Sequence, residues 1–190
     1  MLKALSGGNN FMQEIETKVL EVNVEEIKQK LKSLGAKEMQ NTRLVIDWYS
    51  LKDIQGNNHP WYLRIRTASD GRNEISWKSL PKIIGNTRHS DEINVGVSNA
   101  VLAGKLFEVI GLSNYAHQEK DRVSFKLEKW NFDIDQYPGM PAYLEIEGHS
   151  HEHVQEAIKL LNLENHRSIG EGERNLIEKE YKLNWYDMRF

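Results

Sequence analysis

The sequence predicts an α+β fold in which about eight mostly antiparallel strands close into a barrel-like tunnel clad by helices. Charged side chains alternate with apolar ones in nearly every predicted strand, which places the charges on one face of the sheet. A helix follows the first strand of each half. Because unpaired charges cost several kcal/mol each when removed from water, such a face must look into a wet, charged cavity. A closed sheet with a polar inside and an apolar outside satisfies both faces.

The first half of the chain is predicted to hold four strands and one helix. The strands are 13–21, 42–50, 61–68 and 73–79. Apolar residues at helical spacing from Val24 to Leu34 mark an amphipathic helix that Gly35 stops. A polar turn is expected at 56–60, and a tight turn at 69–71 favours a hairpin.

The pattern repeats in the second half, after a predicted loop over 81–88. The expected strands are 89–96, 117–128, 130–136 and 142–148. Ser98 is the candidate N-cap of a helix that ends at Gly111, and its predicted inward face is Val101, Leu102, Leu106 and Val109. Further helices are expected at 151–162 and near 172–181. Duplication is the simplest explanation, with Glu14-Ile15-Glu16 matched by Glu92-Ile93-Asn94.

Composition limits the class of protein. A chain of 190 residues with 39% hydrophobic content is long enough for one good core, which predicts a single domain over 12–190 with a flexible extension at 1–11. The net charge of −3 and the pI near 6.2 argue against a general nucleic-acid binder.

The same composition predicts a cytoplasmic protein. There is no cysteine, which fits a reducing compartment and removes thiolate ligands and nucleophiles. No apolar run approaches the roughly 20 residues of a membrane span, and the first ten residues lack the features of a secretory signal.

The charged motifs follow one another in an order that resembles a known family. They are Glu14-x-Glu16-x-Lys18, Arg64-x-Arg66, Lys78, Lys120-x-Arg122, the Asp133-x-Asp135 strand and Glu145-x-Glu147. Over roughly residues 12 to 150 this order resembles the CYTH domain of class IV adenylate cyclases and thiamine triphosphatases, also called triphosphate tunnel metalloenzymes. The resemblance implies an eight-stranded tunnel that binds a triphosphate and one or two divalent cations.

The residue types agree with that chemistry. Basic side chains in one cavity can neutralise a triphosphate, and the candidates are Lys18, Arg64, Arg66, Lys78, Arg88, Lys120, Arg122 and Lys126. Carboxylates would repel the substrate unless a cation stood between. The candidate metal ligands are Glu14, Glu16, Asp133, Asp135, Glu145 and Glu147. Their hard oxygens favour Mg²⁺ or Mn²⁺ and disfavour zinc.

The resemblance further implies roles for individual residues. An acidic residue near Asp135 helps to position a metal or the attacking water, and the spacing to Glu145 favours Asp135 over Asp133. Lys18, Asp135 and Glu92 form the predicted catalytic set. Many relatives carry a second carboxylate where this chain has Asn94. The resemblance therefore does not carry a second metal, or the position that activates water, over to this residue.

Several residues carry an alternative reading. The charged strand faces also fit an ordinary solvent-exposed sheet with cross-strand ion pairs. His149, His151 and His153 start a helix and favour a solvated cap over a metal site.

The strand tryptophans are predicted to be core or cladding: Trp48, Trp61, Trp77 and Trp130. Tyr62 and Tyr143 share parity with the charges and are candidates to contact an organic moiety. A basic residue that closes the tunnel would be Arg174, Lys179 or Lys182.

Three functions are compatible with the sequence. The first is a hydrolase that removes the terminal phosphate of tripolyphosphate, a nucleoside triphosphate or thiamine triphosphate. The second is an adenylate cyclase, which in addition needs a purine site that holds the ribose in line. The third is a non-catalytic module that binds polyphosphate. The expected partner is a small-molecule triphosphate, with no nucleic acid or membrane, and the protein is expected to be a monomer or a homodimer.

Overall fold

The computed structural model describes residues 12–52 and 59–190, and at its centre lies a closed barrel of eight antiparallel strands. The strands in chain order are β1 (Met12–Val19), β2 (Lys37–Leu51), β3 (Tyr62–Ala68), β4 (Asn73–Lys78), β5 (Lys82–Ile84), β6 (Thr87–Val97), β7 (Leu112–Leu127), β8 (Trp130–Gln136), β9 (Tyr143–Gly148), β10 (Ser168–Ile169) and β11 (Asp187–Met188). Around the barrel the order is β1, β9, β8, β7, β2, β3, β4 and β6, and β6 pairs with β1 again. This confirms the predicted fold class.

Two of the predictions along the chain need comment. The predicted extension 1–11 and most of the predicted turn 56–60 lie outside the described residues. The predicted loop 81–88 is wrong, because β5 and the start of β6 form a hairpin there. Gly85 takes the left-handed backbone conformation, with φ of 61°, at the tight turn between them, where glycine is favoured.

The outer wall of one half of the barrel is covered by two helices, α1 (Val24–Ser33) and α3 (His151–Leu160). Asn23 caps α1 through its side-chain oxygen, and Ser150 caps α3. Their apolar faces pack with the outward side chains of β1, β7, β8 and β9 into a continuous core. The histidines at the start of α3 are not all solvated as predicted: His153 is buried and stacks on Trp130, with ring centroids 4.3 Å apart.

The third helix, α2 (Ala100–Val109), differs from the prediction in its cap and in its orientation. The cap is Asn99 and not Ser98, since the Asn99 side chain accepts the hydrogen bond from the Leu102 backbone. The predicted inward face is solvent-exposed, at 81% for Val101, 66% for Leu102, 58% for Leu106 and 74% for Val109.

Gly104 explains why α2 turns its other side to the barrel. A Cβ at this position would lie 2.5 Å from the Tyr49 hydroxyl oxygen, so only glycine permits the close approach. Phe107, one turn further on, is buried against Tyr49 in an edge-to-face contact. The small contact surface around Gly104 and Phe107 therefore sets the rotation of the helix about its axis.

The C-terminal segment enters the interior of the barrel. The short helix α4 (Glu173–Asn175) continues into a π-helical turn, Leu176–Glu180, where a charged helix was predicted. Leu176 and Ile177 are buried in one cluster with Ile46 and Tyr143, whose side chains share the inner face with the predicted site residues. The segment is therefore part of the wall of the tunnel.

None of the helices in the described ranges has the length and apolar character needed to cross a bilayer.

Candidate active site inside the barrel

The barrel encloses a cavity of about 370 Å³, within the size range of small-molecule sites. The predicted site residues that line it are Glu14, Glu16, Lys18, Arg64, Arg66, Lys78, Arg88, Arg122, Asp133, Glu145 and Glu147. Strand register brings them together, since Glu16 lies opposite Glu147, and Lys18 opposite Glu145. Side chains two residues apart share a face, and closure of the sheet turns that face inward.

Four carboxylates repel one another on one side of the cavity. Burial raises the pKa of Glu147 above its ordinary value, and the negative charges of Glu14, Glu16 and Asp133 raise it further. The pKa of Asp133 is also raised, first by burial and then by neighbouring carboxylates. A divalent cation would relieve this repulsion, and the oxygen-only donor set suits Mg²⁺ or Mn²⁺. These residues therefore fit a bound metal.

Lysines bridge the carboxylates to the rest of the cavity. Lys18 Nζ lies 3.0 Å from Glu16 Oε1 and 3.1 Å from Glu145 Oε1, and Lys78 contacts Glu14 and Glu92. Burial alone would lower the pKa of Lys18, but the neighbouring carboxylates outweigh it and raise the pKa above its ordinary value. Lys18 is therefore a permanently charged group at neutral pH.

Arg64 is a buried cation without an ion pair among the described residues. Its Nε has no hydrogen-bond partner in the described part of the chain, and its guanidinium lies 5.3 Å from the centre of the Trp48 ring. Burial would lower the pKa of Arg64, but the charges of more distant carboxylates, Glu173 first, raise it. A buried guanidinium with unused donors is suited to hold an anion.

Asp135 and Lys120 lie beneath the cavity and do not line it. Asp135 is fully buried and accepts hydrogen bonds from Lys120 at 2.7 Å and from Arg122 at 2.6 Å. The carboxylates of Asp135, Glu145 and Glu173 lie within 4.8 Å of one another, in a buried acidic cluster. Because Lys120, Arg122 and Lys18 already contact these oxygens, the cluster is balanced by protein cations.

Asp135→Asn is expected to lower the free energy of unfolding by about 3 kcal/mol or more, because it leaves the buried charges of Lys120 and Arg122 short of a partner. Urea denaturation of the purified protein measures this. Asp121→Asn is the matched control, since Asp121 pairs with Arg43 on the exposed surface, and we expect no measurable change there. Equal losses in the two variants would contradict a buried ion-pair cluster.

Lys126 and Glu92 lie apart from the main cavity. Lys126 is exposed near the end of β7, which runs past the charged region, so this predicted phosphate ligand is not brought to the site. Glu92 lines a second opening with Glu74 and Asn94. With its amide nitrogen turned toward them, Asn94 donates to Glu92 Oε1 at 3.2 Å and to Glu74 Oε1 at 3.3 Å. The Asn94 amide thus bridges the carboxylates of Glu92 and Glu74, whereas a carboxylate at position 94 would repel both of them.

The two openings belong to one tunnel. The residues that line both are Glu14, Arg66, Arg122, Asp133 and Glu147. Three of the candidate metal-binding carboxylates and two arginines therefore lie where the two openings meet.

Aromatic side chains form one end of the cavity, and the sequence did not predict this group. Trp48, predicted as core or cladding, lines the cavity and lies 5.4 Å from the ring of Trp185. Tyr115 stacks on His59 at 4.3 Å and lies 6.1 Å from Trp185. The indole nitrogen of Trp185 is buried and has no partner among the described residues. Tyr62 lines the same end, as its parity predicted.

The C-terminal segment supplies two further functional residues. Glu173 was missed; its carboxylate accepts hydrogen bonds from Lys120 at 2.8 Å and from the hydroxyls of Tyr137 and Tyr143 at 3.1 Å. Arg174 lines the cavity and lies over the rings of Trp185 and Tyr186, as one candidate to close the tunnel. The other candidates, Lys179 and Lys182, are exposed outside it.

The comparisons with known proteins agree with this fold. The model of the CYTH domain family matches residues 12–181, and the chain therefore belongs to the CYTH domain family. This family is generally metal-dependent. A search of the curated proteins finds no significant match.

Solved structures resemble the chain over most of its length. The PH1012 protein of Pyrococcus horikoshii OT3 is 25% identical, with a TM-score of 0.66, and the match covers 80% of this chain and 91% of that one. A candidate adenylate cyclase of Vibrio parahaemolyticus is 13% identical, with a TM-score of 0.71 and coverage of 87% and 97%. HpAC1 of Hippeastrum, described as having a dominant triphosphatase activity, is 15% identical, with a TM-score of 0.65 and coverage of 87% and 95%. The last two similarities concern the fold.

Proposed function

We propose that this protein is a divalent-metal-dependent triphosphatase that hydrolyses an inorganic or organic triphosphate inside the barrel. The observation that carries the proposal is that one cavity holds both mutually repelling carboxylates and a buried cation, Arg64, with an unused donor. Such a cavity has room for an anion and for the metal that lets carboxylates and phosphates lie side by side.

The metal would be held by Glu14, Glu16 and Glu147, with Asp133 next to them. All four line the cavity; burial raises the pKa of Glu147, and the charges of the other three raise it further. A bound Mg²⁺ or Mn²⁺ supplies charge neutralisation and polarisation of phosphate oxygens. We assign Glu145 a different part, since both of its oxygens are in ion pairs, one with Lys18 and one with Arg122. Glu14, Glu16 and Asp133 each have only one oxygen in an ion pair with a described residue.

The phosphate chain would be held by basic side chains from several strands. Arg64 has unused donors, and Arg88 lies 3.9 Å from Glu16, at the outer limit of an ion pair, so both can turn toward an anion. Lys18 and Lys78 add fixed positive charge beside the carboxylates. Phosphoryl transfer is catalysed mainly by positioning and electrostatic stabilisation, so no side-chain nucleophile is required.

A second candidate is an adenylate cyclase, and the aromatic end of the cavity favours it specifically. Trp48, Tyr115 and Trp185 pack against one another there, and a purine would stack on the cavity side of these rings. Hydrolysis remains our first proposal because it needs the charged part of the cavity alone.

Product analysis separates these functions. The purified protein is incubated with tripolyphosphate, ATP or thiamine triphosphate, each with Mg²⁺, with Mn²⁺ and with chelator, and products are identified by phosphorus NMR. We expect orthophosphate only when metal is present. Cyclic AMP with pyrophosphate would establish the cyclase instead. Binding without any product would overturn both proposals and leave a polyphosphate-binding module.

A further inference from the structure

The outward face of α2 is an apolar patch. Its exposed members are Ile93, Val95, Val101, Leu102, Leu106, Val109 and Ile110. The two β6 residues join the helix face because Ile93 pairs with Trp77 and Val95 with Ile75, and both partners pack against the core beneath α2. We call these seven residues the α2 patch.

The other helices of the barrel do not share this character. The outer surface of α1 carries charged residues, with Glu25 and Glu26 in its first turn and Lys30 and Lys32 in its last. In contrast, α2 has no acidic residue in its first turn and no basic residue in its last. Two helices, α1 and α3, cover one side of the barrel, whereas α2 is the single helix that packs on the cluster around Phe107.

From this asymmetry we infer that the α2 patch is the interface of a homodimer, in which two copies pack α2 against α2 about a two-fold axis. The patch leaves on the order of 700 Å² of apolar surface exposed, more than most monomers carry in one place and close to the roughly 800 Å² per partner of a standard interface. A two-fold interface needs only one self-complementary surface, which a helix flanked by a strand provides.

Charge on the patch permits a second copy. The charged side chains of α2 are Lys105 and Glu108, which pair with each other at 3.0 Å. Two copies can therefore approach without net repulsion, and an antiparallel helix pair places Lys105 of one copy on the side of Glu108 of the other. A lipid surface is a poorer fit, because interfacial helices carry several basic residues and Lys105 is the sole basic residue of α2.

The inference is tested by the mass of the full-length protein in solution. Sedimentation equilibrium is expected to give twice the chain mass of 22.1 kDa at micromolar concentration. The double variant Leu102→Glu/Leu106→Glu places two like charges on each face of the two-fold contact and is expected to raise the dissociation constant at least 100-fold, yielding a monomer. Both positions are solvent-exposed, so the variant should melt at the same temperature as wild-type protein diluted below its dissociation constant, whereas the undiluted wild-type dimer should melt higher.

A matched control separates the patch from a general effect of added charge. Met39→Glu, at an exposed apolar residue of β2 outside the patch, is expected to leave the dimer intact. Hydrolysis should be unchanged in both variants, since neither site lines the tunnel. A monomeric wild type, a double variant that stays dimeric, or wild-type protein that floats with anionic vesicles while remaining monomeric would each overturn the inference.

Discussion

Glu147→Gln is expected to lower kcat/KM for triphosphate hydrolysis at least about 100-fold and to abolish the dependence on Mg²⁺ or Mn²⁺. Burial raises the pKa of Glu147, the charges of Glu14, Glu16 and Asp133 raise it further, and Glu147 makes no ion pair of its own with the described residues. A neutral amide removes one charge that a metal needs. The glutamine oxygen can still accept the hydrogen bond from Asn131, so the local structure should persist.

Stability measurements make this prediction sharper. Because the negative charge of Glu147 is unfavourable in the folded protein, the metal-free variant should unfold at the same urea concentration as wild type or at a higher one. Added metal should stabilise the wild type and not the variant. Glu38→Gln, on the exposed part of β2, serves as the control and should behave as wild type in both assays. Full activity in Glu147→Gln would contradict our assignment of the metal ligands.

Arg64→Met is expected to lower activity strongly and stability only slightly. Loss of a buried guanidinium with free donors should lower kcat/KM about 100-fold or more, since charge-assisted bonds to the phosphates disappear. The free energy of unfolding should fall only slightly, because methionine fills much of the volume and no ion pair of Arg64 is broken, although the attraction of more distant carboxylates such as Glu173 is lost. Steady-state kinetics and urea denaturation on one preparation measure both.

Arg43→Met is the control for this substitution. Arg43 pairs with Asp121 on the exposed surface, away from the tunnel, so its loss should leave kcat/KM unchanged. If Arg64→Met destabilised the protein strongly while activity per folded molecule stayed normal, Arg64 would be a structural residue and not a phosphate ligand.

The sequence predicted the barrel because its two signals are local. Charged residues at every second position mark the inner face of each strand, and turn residues separate the strands. Residues such as Glu16 and Arg64 could therefore be placed inside the barrel before the strand register was known. Depth within the barrel was not predictable in this way. Lys120 and Lys126 share that face, yet one is buried under the cavity and the other is exposed beyond it. Their depth depends on strand length and on the pairing of β7 with its neighbours.

The orientation of α2 and the position of Glu173 depend on tertiary contacts that produce no periodic pattern in the sequence. The apolar residues of α2 cover more than one side of the helix, and the close approach of Gly104 to Tyr49 decides which side is buried. Glu173 follows a glycine in a polar stretch, where nothing local indicates that its carboxylate reaches Lys120. Packing alone places it there.

The position of the C-terminal segment has a consequence for the order of assembly during synthesis. Barrel closure requires β1 to pair with both β6 and β9. The barrel can therefore close only after β9, the last of its strands, has been synthesised. The tunnel wall is then still incomplete, because Glu173 and Trp185 come later and cover interior groups such as Lys120. We therefore expect a nascent chain on the ribosome to expose its charged interior until residues 171–185 emerge, so that the candidate active site is completed only after the barrel strands.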